Sequence, residues 1–262
     1  MMSSPRPPFG STNRAVSNTV AFVLVFALIV TSAGLVTTVG LDSLQDVQQF
    51  QQAELSTGAI RAVGGGIGEI AAGERPAYRD SVGLGGGELA VVNETQIGVT
   101  VSTGAGTSFD ETYHPRTLRY TFEGRNTTYE SGVLARGGDG QQATLVSGPE
   151  TIQCSPEGDV AVITLVELVP SGGTGVGGGP VTVEARQVQP SPPAPVDRLR
   201  YPTTRPPPTA TNVTLTVSGP WKAAWREALI DRGFSPAGAD TVSCSVSQVT
   251  VKVVRVRIEL IT

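Results

Sequence analysis

Apolar residues follow a different pattern in each part of the chain, beginning with an uncharged stretch near the start. From Val20 to Gly40 no residue is charged, and residues 21–30 are all apolar. Twenty-one residues span about 30 Å as a helix, which is enough to cross a bilayer. Arg6 and Arg14 precede this stretch and acids follow it, so a retained helix would keep the N-terminus in the cytoplasm and the remainder outside.

A cleaved secretory signal is the alternative interpretation of this stretch, with its apolar core ending near Ala33. Apolar residues continue beyond that point, at Leu35, Val36 and Val39, where a mature secreted chain would turn polar. The pattern therefore favours a helix that is retained.

The apolar pattern then narrows to a stripe. Four apolar residues recur every three positions with glutamines between them: Leu41, Leu44, Val47 and Phe50. One apolar stripe with a polar back is typical of an amphipathic helix that packs on another surface. Two interpretations stay open, because the stripe can pack against copies of the same helix or cover the underside of the chain's own globular part.

Three consecutive glycines, beginning at Gly64, interrupt the helical pattern. Glycine is a poor helix former, so a single rigid helix through this point is not expected. The sequence therefore predicts a transmembrane and stalk helix over residues 16–63 and a glycine-rich joint over residues 64–86.

Strand patterns dominate the remainder, from residue 87 to residue 262. Val and Thr alternate in short runs bounded by Gly and Pro, which predicts a β-rich head. "GELAVVNETQIGVTVST" predicts a strand pair, and "RTLRYTFEGRNTTYES" predicts a hairpin that turns at residues 123–126. A glycine-rich surface loop is predicted at residues 171–180, and an extended, exposed proline-rich excursion at residues 190–211.

One helix is predicted within the head, in "SGPWKAAWREALIDRGF", which ends at Gly233. Trp221 and Trp225 share one face of it and are expected to dock it on a sheet. The predicted fold class is therefore α+β, with a long N-terminal transmembrane/stalk α-helix followed by a β-sandwich-like, mostly antiparallel ectodomain with one short docked helix.

Charge and composition exclude several classes of function. Only 16% of residues are charged, the net charge is −4, and no basic block could follow a phosphate backbone, so nucleic acid is not an expected partner. One histidine and two cysteines are too few for most metal sites built from those residues. His114 has no nucleophile motif beside it and is better explained as an exposed loop residue. We therefore expect no catalytic residues, no metal and no cofactor.

The two cysteines, Cys154 and Cys244, are widely separated along the chain. In an exported protein such a pair suggests a disulfide, and two independent free thiols are the alternative. Asn93, Asn126 and Asn212 each begin an Asn-x-Thr triplet, which is the acceptor pattern for N-glycosylation.

"RAVS", directly before the apolar stretch, resembles the processing site of archaeal type IV pilins and pilin-like proteins. The resemblance implies a leader over residues 1–15 that ends with Arg14 and Ala15, and a mature chain that begins at Val16. It also implies three partners, namely a prepilin-peptidase-like processing enzyme, the membrane and other pilin-like subunits.

The remaining sequence is similar to β-rich ectodomains of pilin-like surface proteins from halophilic archaea, in phrases such as "ELAVVNETQIGVTV" and "VTVKVVRVRIEL". We therefore expect a non-enzymatic pilin-like subunit at the cell membrane, with a cytoplasmic N-terminus and an extracellular head. It could serve as a minor or tip component of a type IV pilus-like filament in adhesion or surface assembly. The alternative is a monomeric, single-pass, membrane-anchored ectodomain that binds surface carbohydrate or protein.

Overall fold

A computed structural model describes residues 13–138, 142–157, 159–188, 198–201 and 209–262. The chain divides into two units, Met1–Gln51 and Gln52–Thr262.

Two helices and seventeen strands lie within the described residues. The helices are α1 (Asn13–Ala72) and α2 (Lys222–Asp231). The strands are β1 (Ala77–Gly83), β2 (Glu88–Val92), β3 (Gln96–Thr103), β4 (Gly106–Tyr113), β5 (Thr117–Phe122), β6 (Arg125–Glu130), β7 (Val133–Gly138), β8 (Thr144–Ser147), β9 (Ile152–Ser155), β10 (Val160–Pro170), β11 (Gly175–Gly177), β12 (Pro180–Gln187), β13 (Arg198–Tyr201), β14 (Ala210–Ser218), β15 (Ser235–Pro236), β16 (Thr241–Cys244) and β17 (Gln248–Ile261).

The strands form three sheets. Sheet A has the order β1-β12-β17-β10-β9, and β13 also pairs with β17. Sheet B has the order β11-β2-β5-β6-β7-β8, and sheet C the order β15-β16-β14-β3-β4. Neighbouring strands are antiparallel except at the centre of sheet A, where β10 and β17 run parallel from Val160 opposite Gln248 to Pro170 opposite Ile258.

The long strand β17 is buried on one face at its start and on the other face at its end. Val249 and Val251 belong to a first core, whereas Val254 and Val256 belong to a second. Because successive side chains of a strand point to opposite faces, the two cores lie on opposite faces of sheet A. Sheet A is therefore the shared wall of both cores.

The first core lies between sheet A, sheet C and α2. Trp225 of α2 is fully buried in it, together with inward-facing residues of β3, β14 and β16. The second core lies between sheet A, sheet B and the last turns of α1, which contribute Ile60, Val63, Ile67 and Ile70. Burial of a large aliphatic or aromatic side chain is worth about 1.5–3 kcal/mol, so these residues hold the helices in place.

Helix α1 ends at a left-handed glycine. Gly73 has a φ of +85° and donates its N–H to the carbonyl of Ile70 (3.1 Å), while Glu74 donates to the carbonyl of Glu69 (2.9 Å). Nζ of Lys252, on β17, donates to the carbonyl of Ala71 (3.0 Å). Three of the last carbonyls of α1 therefore accept hydrogen bonds, and a cation faces the negative end of the helix.

The predicted fold class is wrong. The described chain is mostly β and builds three sheets around two cores, where the sequence predicted a sandwich-like head behind a transmembrane/stalk helix. The physical reason lies in β10 and β17, which bury apolar residues on both faces and so need a layer on each side, as parallel strands usually do.

The transmembrane part of that prediction is also not found. Within the described residues, no helix combines the length and the apolar character that crossing a membrane requires.

The glycine-rich joint expected from residue 64 onward is likewise corrected, since α1 continues through the glycines to Ala72. A Cβ at Gly64 would lie 2.5 Å from Cδ2 of Tyr129, and a Cβ at Gly66 would overlap the ring of Tyr78. These glycines let two aromatic rings pack directly on the helix backbone, so their role is close packing.

The other predicted segments of the head have mixed outcomes. The hairpin is present as β5 and β6, whereas the predicted strand pair is split, with β2 in sheet B and β3 in sheet C. The glycine-rich loop at residues 171–180 contains β11, which pairs with β2. Most of the proline-rich excursion lies outside the described residues.

Candidate functional site

The first candidate surface is the apolar segment of α1 at residues 20–34, where every side chain is exposed. Phe22 and Leu28 each keep 71% of their surface accessible. Phe22 and Phe26, one helical turn apart, stack with ring centroids 6.2 Å apart. Each residue of a helix is rotated by about 100° from the one before it, so a continuous apolar run covers every side of the helix. A helix that is apolar on every side is ordinarily buried against other protein or lipid.

Beneath α2 lies a second candidate, a set of buried polar groups. The Nε1–H of Trp225 donates to Oε2 of Glu130 (2.9 Å), and that of Trp221 donates to Oε2 of Glu94 (3.2 Å). Both tryptophans therefore do more than fill the first core, because each gives its ring N–H to a carboxylate on another element.

Glu130, at the end of β6, is the most deeply buried acid of this set, with 2% of its surface exposed. The hydroxyl of Thr117 donates to its Oε1 (3.1 Å). Burial raises the pKa of Glu130, and the hydrogen bond from Trp225 opposes part of this rise. A carboxyl sealed in a core favours its neutral form.

Glu94 lies in the loop between β2 and β3 and forms an ion pair with Arg119 of β5. The set as a whole ties α2 to sheet B and to that loop. The bonds that we find for Glu130 and Glu94 join α2 and Trp221 to neighbouring elements, so the arrangement serves to position α2.

Cys154 of β9 and Cys244 of β16 are joined by a disulfide, with their Cα atoms 6.0 Å apart. The bridge that the sequence favoured over free thiols is thus present, and it links sheet A to sheet C at the first core. It closes a loop of 90 residues, for which the chain-entropy model gives about 4 kcal/mol of stabilisation.

The three N-glycosylation triplets have different surroundings. Asn93 is exposed in the loop between β2 and β3. Asn126 is half-buried on β6 and accepts a hydrogen bond from Thr121 (2.7 Å). Asn212 is half-buried on β14 and donates to the hydroxyl of Thr214 (3.2 Å). Modification at any of them stays a prediction.

The residues expected at the processing site, Arg14, Ala15 and Val16, lie in the first turns of α1. The expected packing stripe, Leu41, Leu44, Val47 and Phe50, also lies in α1, but the side chains of both sets fall outside the described residues. Processing after Ala15 and packing through the stripe therefore stay predictions.

No grouping of three or more potential metal ligands occurs in the part of the chain that the structure describes. His114 is exposed in the segment between β4 and β5, as the sequence indicated. A shallow cavity of about 480 Å³ lies beside the end of α1, with Val160 and Val162 in its lining. Lys252 also lines this cavity, but its amine is already bonded to the carbonyl of Ala71.

The outer face of sheet C is a third candidate surface, which the sequence analysis did not single out. Its inner face packs in the first core, so alternate residues point outward. We call these outward residues the hydroxyl face: Thr100, Ser102, Asp110, Thr112, Asn212, Thr214, Thr216, Thr241 and Ser243. The "TLT" and "VTVS" patterns in the strands are the signal that could have revealed it.

Together these features define a β-rich chain with three sheets, a disulfide between two of them and a long helix whose apolar segment is bare. The chain belongs to the family of unknown function DUF7289, whose model matches residues 14–260. No curated protein and no solved structure matches it.

Proposed function

We propose that the chain is a non-enzymatic, pilin-like subunit of the cell surface that assembles through its N-terminal helix. The observation that carries this proposal is the exposed apolar segment of α1 at residues 20–34. Leaving several large apolar side chains in water is unfavourable by about 0.8 kcal/mol per CH₂, and none of the described residues covers the segment. Helices of neighbouring subunits, aligned side by side, supply that cover.

The composition of the segment suits helix packing. It combines large residues such as Phe22 and Leu28 with small ones such as Ala27 and Gly34, so that neighbouring helices can interlock. The family match starts at Arg14 and continues to residue 260, so the helix and the β-rich part are matched together. This match supports the proposal that the helix is part of the functional protein.

The location that belongs to this proposal is the cell membrane and its outer surface, with the β-rich part outside. The disulfide supports it, because such bonds persist mainly in oxidising compartments. The proposed partners are a prepilin-peptidase-like enzyme that removes the leader and other pilin-like subunits.

The test is a charge placed in the apolar segment. We expect Phe26→Glu to abolish sedimentable assemblies of the full chain, because each buried, unpaired carboxylate would cost several kcal/mol at the helix contact. The matched control is Val162→Glu, which makes the same kind of change at an exposed position of sheet A, 40% accessible. Circular dichroism checks that the β-rich part stays folded in both variants.

Sedimentation of Phe26→Glu at the wild-type rate would contradict the proposal. So would a wild-type chain that is monomeric in membrane extracts, which is the behaviour of the alternative, a single anchored ectodomain.

A further inference from the structure

The hydroxyl face is regular in two directions. Thr214 lies opposite Thr100 on one neighbouring strand and opposite Ser243 on the other. Thr216 lies opposite Thr241 in the next row. Strands in a sheet are about 4.8 Å apart and alternate residues of one strand about 6.7 Å apart, so the hydroxyl groups form a two-dimensional array on those spacings.

Direct contacts confirm that these side chains share one surface. The hydroxyls of Thr216 and Thr241 are 3.4 Å apart, and the hydroxyl of Thr100 donates to Oδ1 of Asp110 (2.9 Å). All nine side chains of the hydroxyl face are exposed or half-exposed. The array is therefore open to a ligand within the described part of the chain.

Charge sets this face apart from the outer face of sheet A. Seven outward residues of sheet A near the second core are charged: Arg79, Glu167, Glu184, Arg186, Arg255, Arg257 and Glu259. On the hydroxyl face Asp110 alone carries a charge. Removing water from a charged group costs more free energy than removing it from a hydroxyl, so a hydroxyl-rich surface with one charge is better suited to contact with a neutral partner.

We propose that the hydroxyl face binds a neutral polysaccharide. Threonine and serine hydroxyls both donate and accept hydrogen bonds, as sugar hydroxyls do, so every facing pair can be satisfied without a charge on either side. The threonine methyl groups add apolar contact with the C–H groups of the sugar rings. The scarcity of charge gives no preference for an acidic or basic polymer.

A second copy of the chain fits this face less well. The strand spacings give a contact of about 400 Å² for each copy, whereas a stable complex buries about 800 Å² on each partner. Contact between the hydroxyl faces of two copies would also remove water from many hydroxyls whose positions are fixed by the two sheets. Each hydroxyl left without a hydrogen-bond partner would cost free energy. Sugar hydroxyls rotate and their linkages bend, so a polysaccharide adapts to the array.

The inference rests on the proposed function only in placing this face outside the cell. Binding can be measured with the Phe26→Glu chain, which is designed not to assemble, so a failure of assembly and a failure of sugar binding give separate results.

The experiment is retention of the full chain on three neutral polymers, namely cellulose, chitin and cross-linked dextran. The test variant is Thr112→Val/Thr216→Val/Thr241→Val, which removes three hydroxyls of one row while keeping the shape and strand preference of each side chain. It leaves the Asn-x-Thr triplet at Asn212 unchanged. The control is Thr182→Val, the same change on the outward side of β12 in sheet A.

We expect retention on at least one polymer, weakened about tenfold or more in the triple variant and unchanged in the control. Retention should be the same at about 0.1 M and about 2 M NaCl, because salt screens charge contacts and not neutral hydrogen bonds.

Four outcomes would overturn the inference: no retention on any of the three polymers, equal retention of the triple variant, retention that is lost at high salt, or self-association in sedimentation that the triple variant abolishes without any sugar binding. The last outcome would identify a second copy as the partner.

Discussion

At the scale of single residues, burial of the Glu130 carboxyl carries a large desolvation cost in the β-rich part. This carboxyl is buried in the protein interior, where hydrogen-bond donors that include Trp225 and Thr117 offset part of the loss of water. Removing it would leave both donors without that acceptor, so Glu130→Ala is expected to cost about 2–3 kcal/mol.

The ionisation of Glu130 predicts how stability varies with pH. Its folded-state pKa lies above the unfolded value of about 4.3, so the folded chain binds the proton more tightly. The stabilisation from this proton is complete below about pH 4.3 and is lost as pH rises through the folded-state pKa. We expect Glu130→Gln to remove this loss, because glutamine stays neutral and can still accept from Trp225.

Denaturant unfolding from about pH 4.5 to pH 8 measures this effect through the slope of the unfolding free energy. Glu227→Gln, at an exposed position of the same helix, is the matched control. An unchanged slope in Glu130→Gln would show that Glu130 does not titrate as described.

Sequence reasoning reached part of this residue-scale detail. The spacing of Trp221 and Trp225 indicated one docked face of α2, and that placement is confirmed. The hydrogen bonds to Glu94 and Glu130 could not be predicted, because those acids lie far away along the chain and a single glutamate in a strand has no pattern.

At the scale of elements, the glycines of α1 carry the most specific information. Gly64 is buried against Tyr129, whereas a Cβ at the neighbouring Gly65 would meet nothing within 4 Å. The same helix therefore contains one glycine required by packing and one that is free to change.

This contrast gives a paired prediction. Gly64→Ala should destabilise the fold by about 1–3 kcal/mol through overpacking against Tyr129. Gly65→Ala should stabilise it by about 0.5–1 kcal/mol, because alanine loses less backbone freedom on helix formation. Thermal and denaturant unfolding of the two variants would measure both values. Equal effects in the two variants would mean that the helix does not approach Tyr129 as closely as described.

Local patterns predicted elements better than they predicted partners. The hairpin of β5 and β6 follows from alternation around a short turn, which involves only neighbouring residues. β2 and β3 belong to different sheets although only residues 93–95 separate them, and the alternation of apolar and polar residues does not indicate which sheet a strand joins. The helix across Gly64 was missed because propensity ignores the aromatic rings that favour glycine there.

At the scale of the whole molecule, three sheets enclose two cores, and the sequence could not predict this. A continuous apolar strand such as β10 indicates a central position, but it does not say that each face meets a different sheet. The bare apolar segment of α1 remains the feature that the described chain does not explain by itself, and it is the reason for proposing assembly.

The measurement that tests the pilin-like account most directly is the N-terminal mass of the mature chain, recovered from membranes and from the medium. A pilin-like subunit would begin at Val16, with the leader removed and the apolar segment of α1 retained. A mature chain that begins near Gly34 would contradict the pilin-like account, because the segment proposed to join the subunits would have been discarded.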